Sequence, residues 1–373
     1  MKILMVSMNS IHFQRWTEQL RDSGHEVHWF DVRGGAGNAS LDFVKQHINW
    51  KYRFKKGRYL FKKISTKLPF LTAFFERNIE TIFKEKLQEI QPDVVHSFAL
   101  YVSCTPILNV MKASKIPWIY SSWGSDLFYF KDIPSYRRDI EAVLPEINYL
   151  FTDCHRDQEL AKTLGFSGRS LGVFPGGGGF ELEETKSYIK PIADRKLILV
   201  KGYQGRSGRA IPILQALNAM KKELNDYEVV VFGCSPETLD FKVNVPSQWI
   251  FHKQMSHHGI LKLMGASVVY IGNSNSDGMP NTVLEAICMG AFPIQSNPGD
   301  ATAEVITPEI NGLLIEDCED PAEIEKHILM ALQNQELVAT AFLYNQDLKK
   351  QWERQTIQQS VLKAYDTIKV DRG

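Results

Sequence analysis

The stretch NSNSDGMPNTVLEAICMG, residues 273–290, sets two carboxylates eight positions apart, Asp277 and Glu285, with Gly278, Met279, Pro280 and Asn281 following the first. Pro280 suits the first position of a helix, because its fixed φ fits a helix and the N–H it lacks has no partner there. The helix then runs through NTVLEAICM and stops at Gly290. Its first N–H groups, around Asn281, Thr282 and Val283, suit a phosphate or a similar anion. Glu285, one turn further in, repels an anion but accepts hydrogen bonds from hydroxyls such as those of a ribose. Asp277, on the turn before the helix, can grip hydroxyls at the other end of the same ligand. Two acids flanking an anion-binding helix end match a sugar, a diphosphate and a ribose in a row. Taken singly, Asp277 also fits an ordinary turn and Glu285 a solvated helix face. The apolar neighbours Val283, Leu284, Ala286, Ile287 and Met289 leave Glu285 little such face.

A diphosphate leaving group gathers negative charge, which fixed cations stabilise. LVKGYQGRSGRAIPIL, residues 199–214, supplies Lys201, Arg206 and Arg209 on a glycine-punctuated loop between strand and helix, with Arg209 the first choice for that role. In the first half, SSWGSDLFYF (121–130) follows a strand and carries Trp123, which can stack on a pyranose face, and Asp126. Asp126 reads two ways, as a group for acceptor activation or sugar binding, or as the cap of the next turn. His12, in SMNSIHF (7–13), reads either as an acceptor contact or as a structural residue at a helix start.

The elements that position these residues are short β-branched runs alternating with amphipathic helices, the pattern of parallel α/β sheets. Strands are expected at 2–7, 26–32, 93–98, 118–123 and 149–154, and again at 197–202, 228–233, 249–254, 267–272, 292–296 and 312–316. A helix over 13–24 places Trp16 and Leu20 on one face. This gives two doubly wound domains, 1–172 and 185–345. They are joined by a glycine-rich connector, 173–184, whose four consecutive glycines mark a flexible link or a close backbone approach. From about residue 335 the pattern is helical to the end, with 346–373 expected to close across both domains. A chain of 373 residues, 44% hydrophobic and 23% charged, has the composition of such a pair of globular domains.

Lys+Arg and Asp+Glu both total 43, so net charge points to no nucleic-acid partner. Five scattered cysteines without metal-ligand spacing fit a reducing cytoplasm, and the opening MKILMVSMNS reads as a first strand rather than a signal peptide. Basic charge does cluster locally. Residues 43–75 hold nine Lys/Arg and no acid, with Trp50, Tyr52, Phe54, Tyr59, Phe61, Phe70, Phe74 and Phe75 interleaved. Such a segment suits an anionic membrane, each cation contributing on the order of 1 kcal/mol near the surface.

DGMPNTVLEAICMGAFPIQSNPGDATAEVITPEINGLLIE, residues 277–316, resembles the donor-site region of the family 4 glycosyltransferases: an acid, a Gly-x-(Gly/Pro) turn, a second acid eight residues on, a small-residue segment, a short Glu-containing helix and an Asn-Gly turn. The opening MKILMVS…GHEV, PDVVH (92–96) and the glycine-rich connector extend the likeness. The resemblance implies a GT-B fold, two Rossmann-like domains facing a cleft with a C-terminal helix crossing between them. It also implies retaining sugar transfer from a nucleotide donor, with Glu285 on the ribose and Asp277 on the donor sugar. Five features depart from the family: Asp277 is shorter than the usual Glu, SMNSIHF (7–13) replaces a glycine pair common after the first strand, Tyr203 stands where relatives carry Arg, Arg209 is displaced from the family's Lys by about one residue, and Trp123 stands near the usual His.

The expected protein is therefore a cytoplasmic glycosyltransferase, peripheral on the inner face of the plasma membrane, that needs no metal or separate cofactor. Its donor site combines Lys201, Arg206, Arg209, Gly278, Asn281, Thr282 and Glu285. Asp126 and Asp277 are the catalytic candidates, His12 and Trp123 lie on the acceptor side, and the acceptor is a glycan or a lipid-linked glycan. A catalytically silent nucleotide-sugar binder is the alternative. A nicotinamide-dependent oxidoreductase is disfavoured, because the loose match GGAGNAS (34–40) follows the second strand and opens no helix.

Overall fold

The computed structural model describes residues 1–53 and 72–370. The chain forms two compact units: residues 1–153, 157–178 and 358–373 make the first, and residues 154–156 and 179–357 the second. The boundary between Gly178 and Gly179 falls inside the connector expected at 173–184.

The first unit is built on a parallel sheet of β1 (Lys2–Ser7), β2 (Glu26–Asp31), β3 (Lys45–His47), β4 (Val94–Phe98), β5 (Trp118–Ser121), β6 (Tyr149–Thr152) and β7 (Arg169–Val173), in the order β3-β2-β1-β4-β5-β6-β7. Its central strands are buried on both faces, which is why Ile3, Leu4, Met5 and Val6 form an unbroken apolar run with no exposure. Leu4 and Val6 face one core with Phe30, Val95, Tyr120 and Leu150. Met5 lies against Thr17 of the helix α1 (Ile11–Glu18). That helix starts where the Ser10 side chain accepts from Phe13 N, and it ends six residues short of the expected stop. Asp22 and Gly24, at φ 59° and 73°, break the helical path there. The next long helix, α2 (Ile79–Ile90), is capped by Asn78 and packs Ile82, Phe83 and Leu87 into the same core.

The second unit repeats the plan. Its strands β8 (Leu197–Lys201), β9 (Glu228–Phe232), β10 (Ile250–His252), β11 (Ser267–Gly272), β12 (Phe292–Ser296) and β13 (Leu313–Ile315) are parallel, in the order β10-β9-β8-β11-β12-β13. Helices α3 (Ala210–Ala219), α4 (His257–Ala266), α5 (Asn281–Cys288), α6 (Pro321–Gln333) and α7 (Gln335–Leu348) cover its two faces. Cores on both faces, one around Val200, Ile213 and Ile294 and the other around Leu199, Tyr270 and Leu284, explain its near-continuous apolar strands.

The last helix, α8 (Arg354–Val370), begins in the second unit and belongs to the first from Gln358 onward. In the first unit its Tyr365 hydroxyl lies 2.6 Å from His96 Nδ1 and 3.3 Å from Trp16 Nε1, while His96 Nε2 lies 2.7 Å from Ser121 Oγ. The indole can only donate, so the Tyr365 oxygen accepts from it while the Tyr365 O–H donates to His96 Nδ1, and the neutral imidazole donates from Nε2–H to Ser121 Oγ. The connector's glycines serve close approach: a Cβ on Gly179 would come within 2.9 Å of both Arg354 Cα and Trp352 O. Among the described residues no helix is long and apolar enough to cross a membrane.

Candidate active site

In both sheets the strand order reverses beside the first strand, at β1/β4 and at β8/β11, and ligands of doubly wound sheets gather beyond the strand ends at that point. In the second unit the loops leaving β8 and β11 are joined there. Arg209 N donates to Asn273 O at 3.0 Å and Asn275 N to Ser207 O at 2.9 Å. The Asn273 amide donates to the carbonyls of Arg209 and Cys318. Gly208 has no room for a side chain, since a Cβ would lie 2.2 Å from Tyr203 O.

The residues expected on the donor side lie on these two loops and the helix that follows. Lys201 ends β8, Arg206 is exposed on the following loop, and Asp277 and Gly278 form the turn ahead of α5, where Gly278 N donates to Asp277 Oδ1 at 3.0 Å. Pro280 is not the first helical residue. At φ −66° and ψ 115° it is the N-cap, and its carbonyl takes the Val283 N–H at 3.0 Å. The N–H groups expected to meet an anion are therefore reduced to those of Asn281 and Thr282, since that of Val283 is taken. The Thr282 hydroxyl is buried and has no hydrogen-bond partner among the described residues.

Glu285 is 5% exposed, and its Oε1 lies 2.7 Å from Nε2 of His257, the first residue of α4, which is 43% exposed. Beneath these acids burial pushes the Tyr270 hydroxyl above its ordinary range. The nearby Thr282 hydroxyl opposes that shift without reaching hydrogen-bond geometry, whereas the carboxylates of Glu285 and Asp277 add to it.

Arg209 is engaged rather than open. Its Nε donates to the Glu319 carboxylate, and its Nη1 donates to the carbonyls of Gly205 and Gly208 at 2.8 Å each. The expected phosphate ligand thus spends three of its five donors on fastening its own loop.

Sequence reasoning missed four partners. Arg156 donates to Asp277 O at 2.7 Å and Pro298 O at 2.6 Å, bracing the acid-bearing loop. Glu304 accepts from the backbone N–H groups of His155 and Arg156, and Glu319 holds Arg209. His257 was likewise unmarked, being one of two adjacent histidines 28 residues before the acid it meets.

In the first unit, His12, in the first turn of α1, and Trp123, on the loop after β5, lie with ring centroids 5.7 Å apart. The structure corrects the expectation for Asp126. Its carboxylate is 4% exposed and accepts from Leu100 N at 2.8 Å, Tyr120 Oη at 2.6 Å and Trp123 N at 2.8 Å, with Ser122 Oγ at 3.3 Å. An acceptor hydroxyl has no approach to a group enclosed in this way. Burial holds the Asp126 carboxyl above the usual carboxylate range, with the Tyr120 hydrogen bond pulling against it. Asp126 instead braces the backbone after β4, where Ala99 sits at φ 61° and ψ 112°, a region costly for a residue with a Cβ.

Residues 2–153 match the family described as glycosyl transferase 4-like, and residues 185–346 match glycosyl transferases group 1. The chain belongs to the family 4 glycosyltransferases. This glycosyltransferase is 23% identical, over 70% of its length and 68% of the relative's, to the protein named "Putative teichuronic acid biosynthesis glycosyltransferase TuaC" of Bacillus subtilis (strain 168). Its fold is that of sucrose-phosphate synthase from Thermosynechococcus elongatus, with a TM-score of 0.73 at 14% identity over 99% of both chains. Anabaena Alr3699/HepE, solved in complex with UDP-glucose, matches with a TM-score of 0.71 at 13% identity over 98% of this chain and 100% of that one. These likenesses establish the GT-B type of two Rossmann-like units.

Proposed function

We propose that this glycosyltransferase moves a hexosyl residue from a nucleoside-diphosphate sugar to a glycan acceptor carried on a lipid, with retention of configuration and without a metal ion. The observation that carries the donor half is the order Asp277, helix end, buried Glu285 at the β8/β11 reversal. The helix end and the Thr282 hydroxyl meet the diphosphate, and Lys201 and Arg206 supply positive charge as the anomeric C–O bond breaks and its electron pair stays on the diphosphate. Arg209 adds its Nη2 while Glu319 and two carbonyls hold its other nitrogens. Glu285 accepts from ribose hydroxyls and Asp277 from those of the sugar. Retention rests on the likeness of residues 277–316 to the family's donor site.

On the acceptor side the paired rings of His12 and Trp123 offer a sugar an apolar wall. TuaC's name points to a polysaccharide product, and the HepE complex makes UDP-glucose the first donor to try. The proposed cytoplasmic, inner-face location rests on residues 43–75. Residues 54–71, with most of the cations, lie outside the described residues. Of the rest, Phe74 is 63% exposed, whereas Trp50 turns inward, donating to Asp31 O at 2.7 Å and stacking on Phe30.

The engaged Arg209 and the enclosed Asp126 favour a second reading, a silent binder of nucleotide sugars. Incubation with UDP- and GDP-sugars and lipid-linked or free glycans, with and without EDTA, separates the two. The enzyme releases nucleotide and forms product in both conditions. A silent binder is stabilised by nucleotide yet consumes none. If no nucleoside diphosphate raises the melting temperature, the donor assignment falls with both readings.

A further inference from the structure

We infer that His257 is a positioning residue that holds the Glu285 carboxylate in the orientation that grips a ribose, so that the preference for ribonucleotides over 2′-deoxyribonucleotides depends on it. The inference rests on the donor reading of Glu285 given above.

The helix backbone at Glu285 is fixed by its neighbours, since Val283, Leu284, Ala286 and Ile287 are all without exposure. Packing of those residues does not fix the acid's own side chain, whose terminal torsion is broad. A lateral hydrogen bond can fix it, and His257 makes one at 2.7 Å. The imidazole is itself well placed for this. The Ser256 side chain accepts from Gly259 N at 3.1 Å, which anchors the first turn of α4, while Leu261 and Met264 bury the next turns. Either the neutral Nε2–H tautomer or the imidazolium can donate to Glu285 Oε1.

A carboxylate has about four acceptor positions, and the imidazole takes one of them at Oε1. The plane of the acid is then set before any ligand arrives. Two vicinal hydroxyls require such a preset plane, because both must meet the same carboxylate at once. One hydroxyl alone tolerates a turning acid. His257 therefore acts on the 2′,3′-diol and not on the base or the phosphates.

The test is calorimetric binding of uridine diphosphate and guanosine diphosphate, each alongside its 2′-deoxy counterpart, to wild type, Glu285→Gln, His257→Ala and His257→Gln. Wild type should prefer the better-bound ribonucleotide over its 2′-deoxy form by about tenfold. His257→Ala should weaken the ribonucleotide by about fivefold and the deoxynucleotide by less than about twofold, collapsing the preference. His257→Gln, whose amide still donates, should restore most of it. A His257→Ala protein that loses affinity equally for both forms, or that only melts earlier with the preference intact, overturns the inference. A wild-type preference that survives in Glu285→Gln, or no binding of any of the four nucleotides, overturns the ribose reading of Glu285 and this inference with it.

Discussion

Replacing Asp126 by alanine removes the acceptor for two buried donors, Leu100 N and Tyr120 Oη, and one half-buried donor, Trp123 N, all within 2.8 Å of the carboxylate. A buried donor left unpaired costs about 1–3 kcal/mol, so the two buried ones set an upper range of roughly 2–6 kcal/mol, to which the half-buried Trp123 N adds little. The acid's own burial is unfavourable, as the raised pKa of its carboxyl shows, so its removal recovers part of that cost. A net loss of about 3 kcal/mol is expected. For a unit of this size that corresponds to a melting point lower by roughly 6–12 °C, read by scanning calorimetry. Asp126→Asn keeps one acceptor oxygen and turns an NH2 toward the remaining donors, so it should fall between alanine and wild type. Nucleotide affinity should stay at the wild-type value in both variants, because the donor residues belong to the second unit. An Asp126→Asn protein that melts within about 2 °C of wild type yet forms no product would refute the bracing role and return Asp126 to the chemistry.

Removing the charge that holds Arg209, by Glu319→Gln, should free its guanidinium and tighten binding of a nucleoside diphosphate by about threefold, the scale of an exposed ion pair. Weaker or unchanged binding in calorimetry would leave Arg209 a loop fastener alone. Burial keeps the His96 imidazole well below its ordinary range and brings His47 down to about 4. Below about pH 6.5 the unfolded chain takes up protons that the folded one refuses, so stability is full above that pH and declines as pH falls toward 4. The melting point recorded across this window should drop, and less steeply in His47→Gln; equal slopes for the two proteins would count against the His47 contribution. Replacing Lys55, Lys56, Lys62 and Lys63 by serine should release the protein from vesicles containing anionic lipid in a sedimentation assay. Unchanged partitioning would end the membrane proposal.

The strands that carry the site were legible because they are buried on both faces and therefore read as apolar runs. Two others were not. β3 is Lys45-Gln46-His47, a polar edge that imitates a basic loop, and β7 is half-buried and contains Gly172, so neither shows the apolar run or strict alternation that marks a strand. Asp277 and Glu285 stood out through their spacing around a helix start, which is local information. What stayed hidden was long-range pairing. Nothing near Arg209 announces Glu319, 110 residues away, and nothing near Asp277 announces Arg156. Residue type also cannot distinguish an acid that meets a substrate from one, like Asp126, that is spent on its own backbone.

The return of α8 to the first unit bears on how the protein is made. Trp16, His96 and Ser121 leave the ribosome early, but Tyr365, whose hydroxyl completes their hydrogen-bonded chain, follows His96 by 269 residues. Vectorial synthesis usually lets the amino-terminal half finish first. Here that half waits, with one aromatic face unroofed, until residue 365 has been made, so a chain interrupted anywhere in the second unit would leave the first unit unfinished as well.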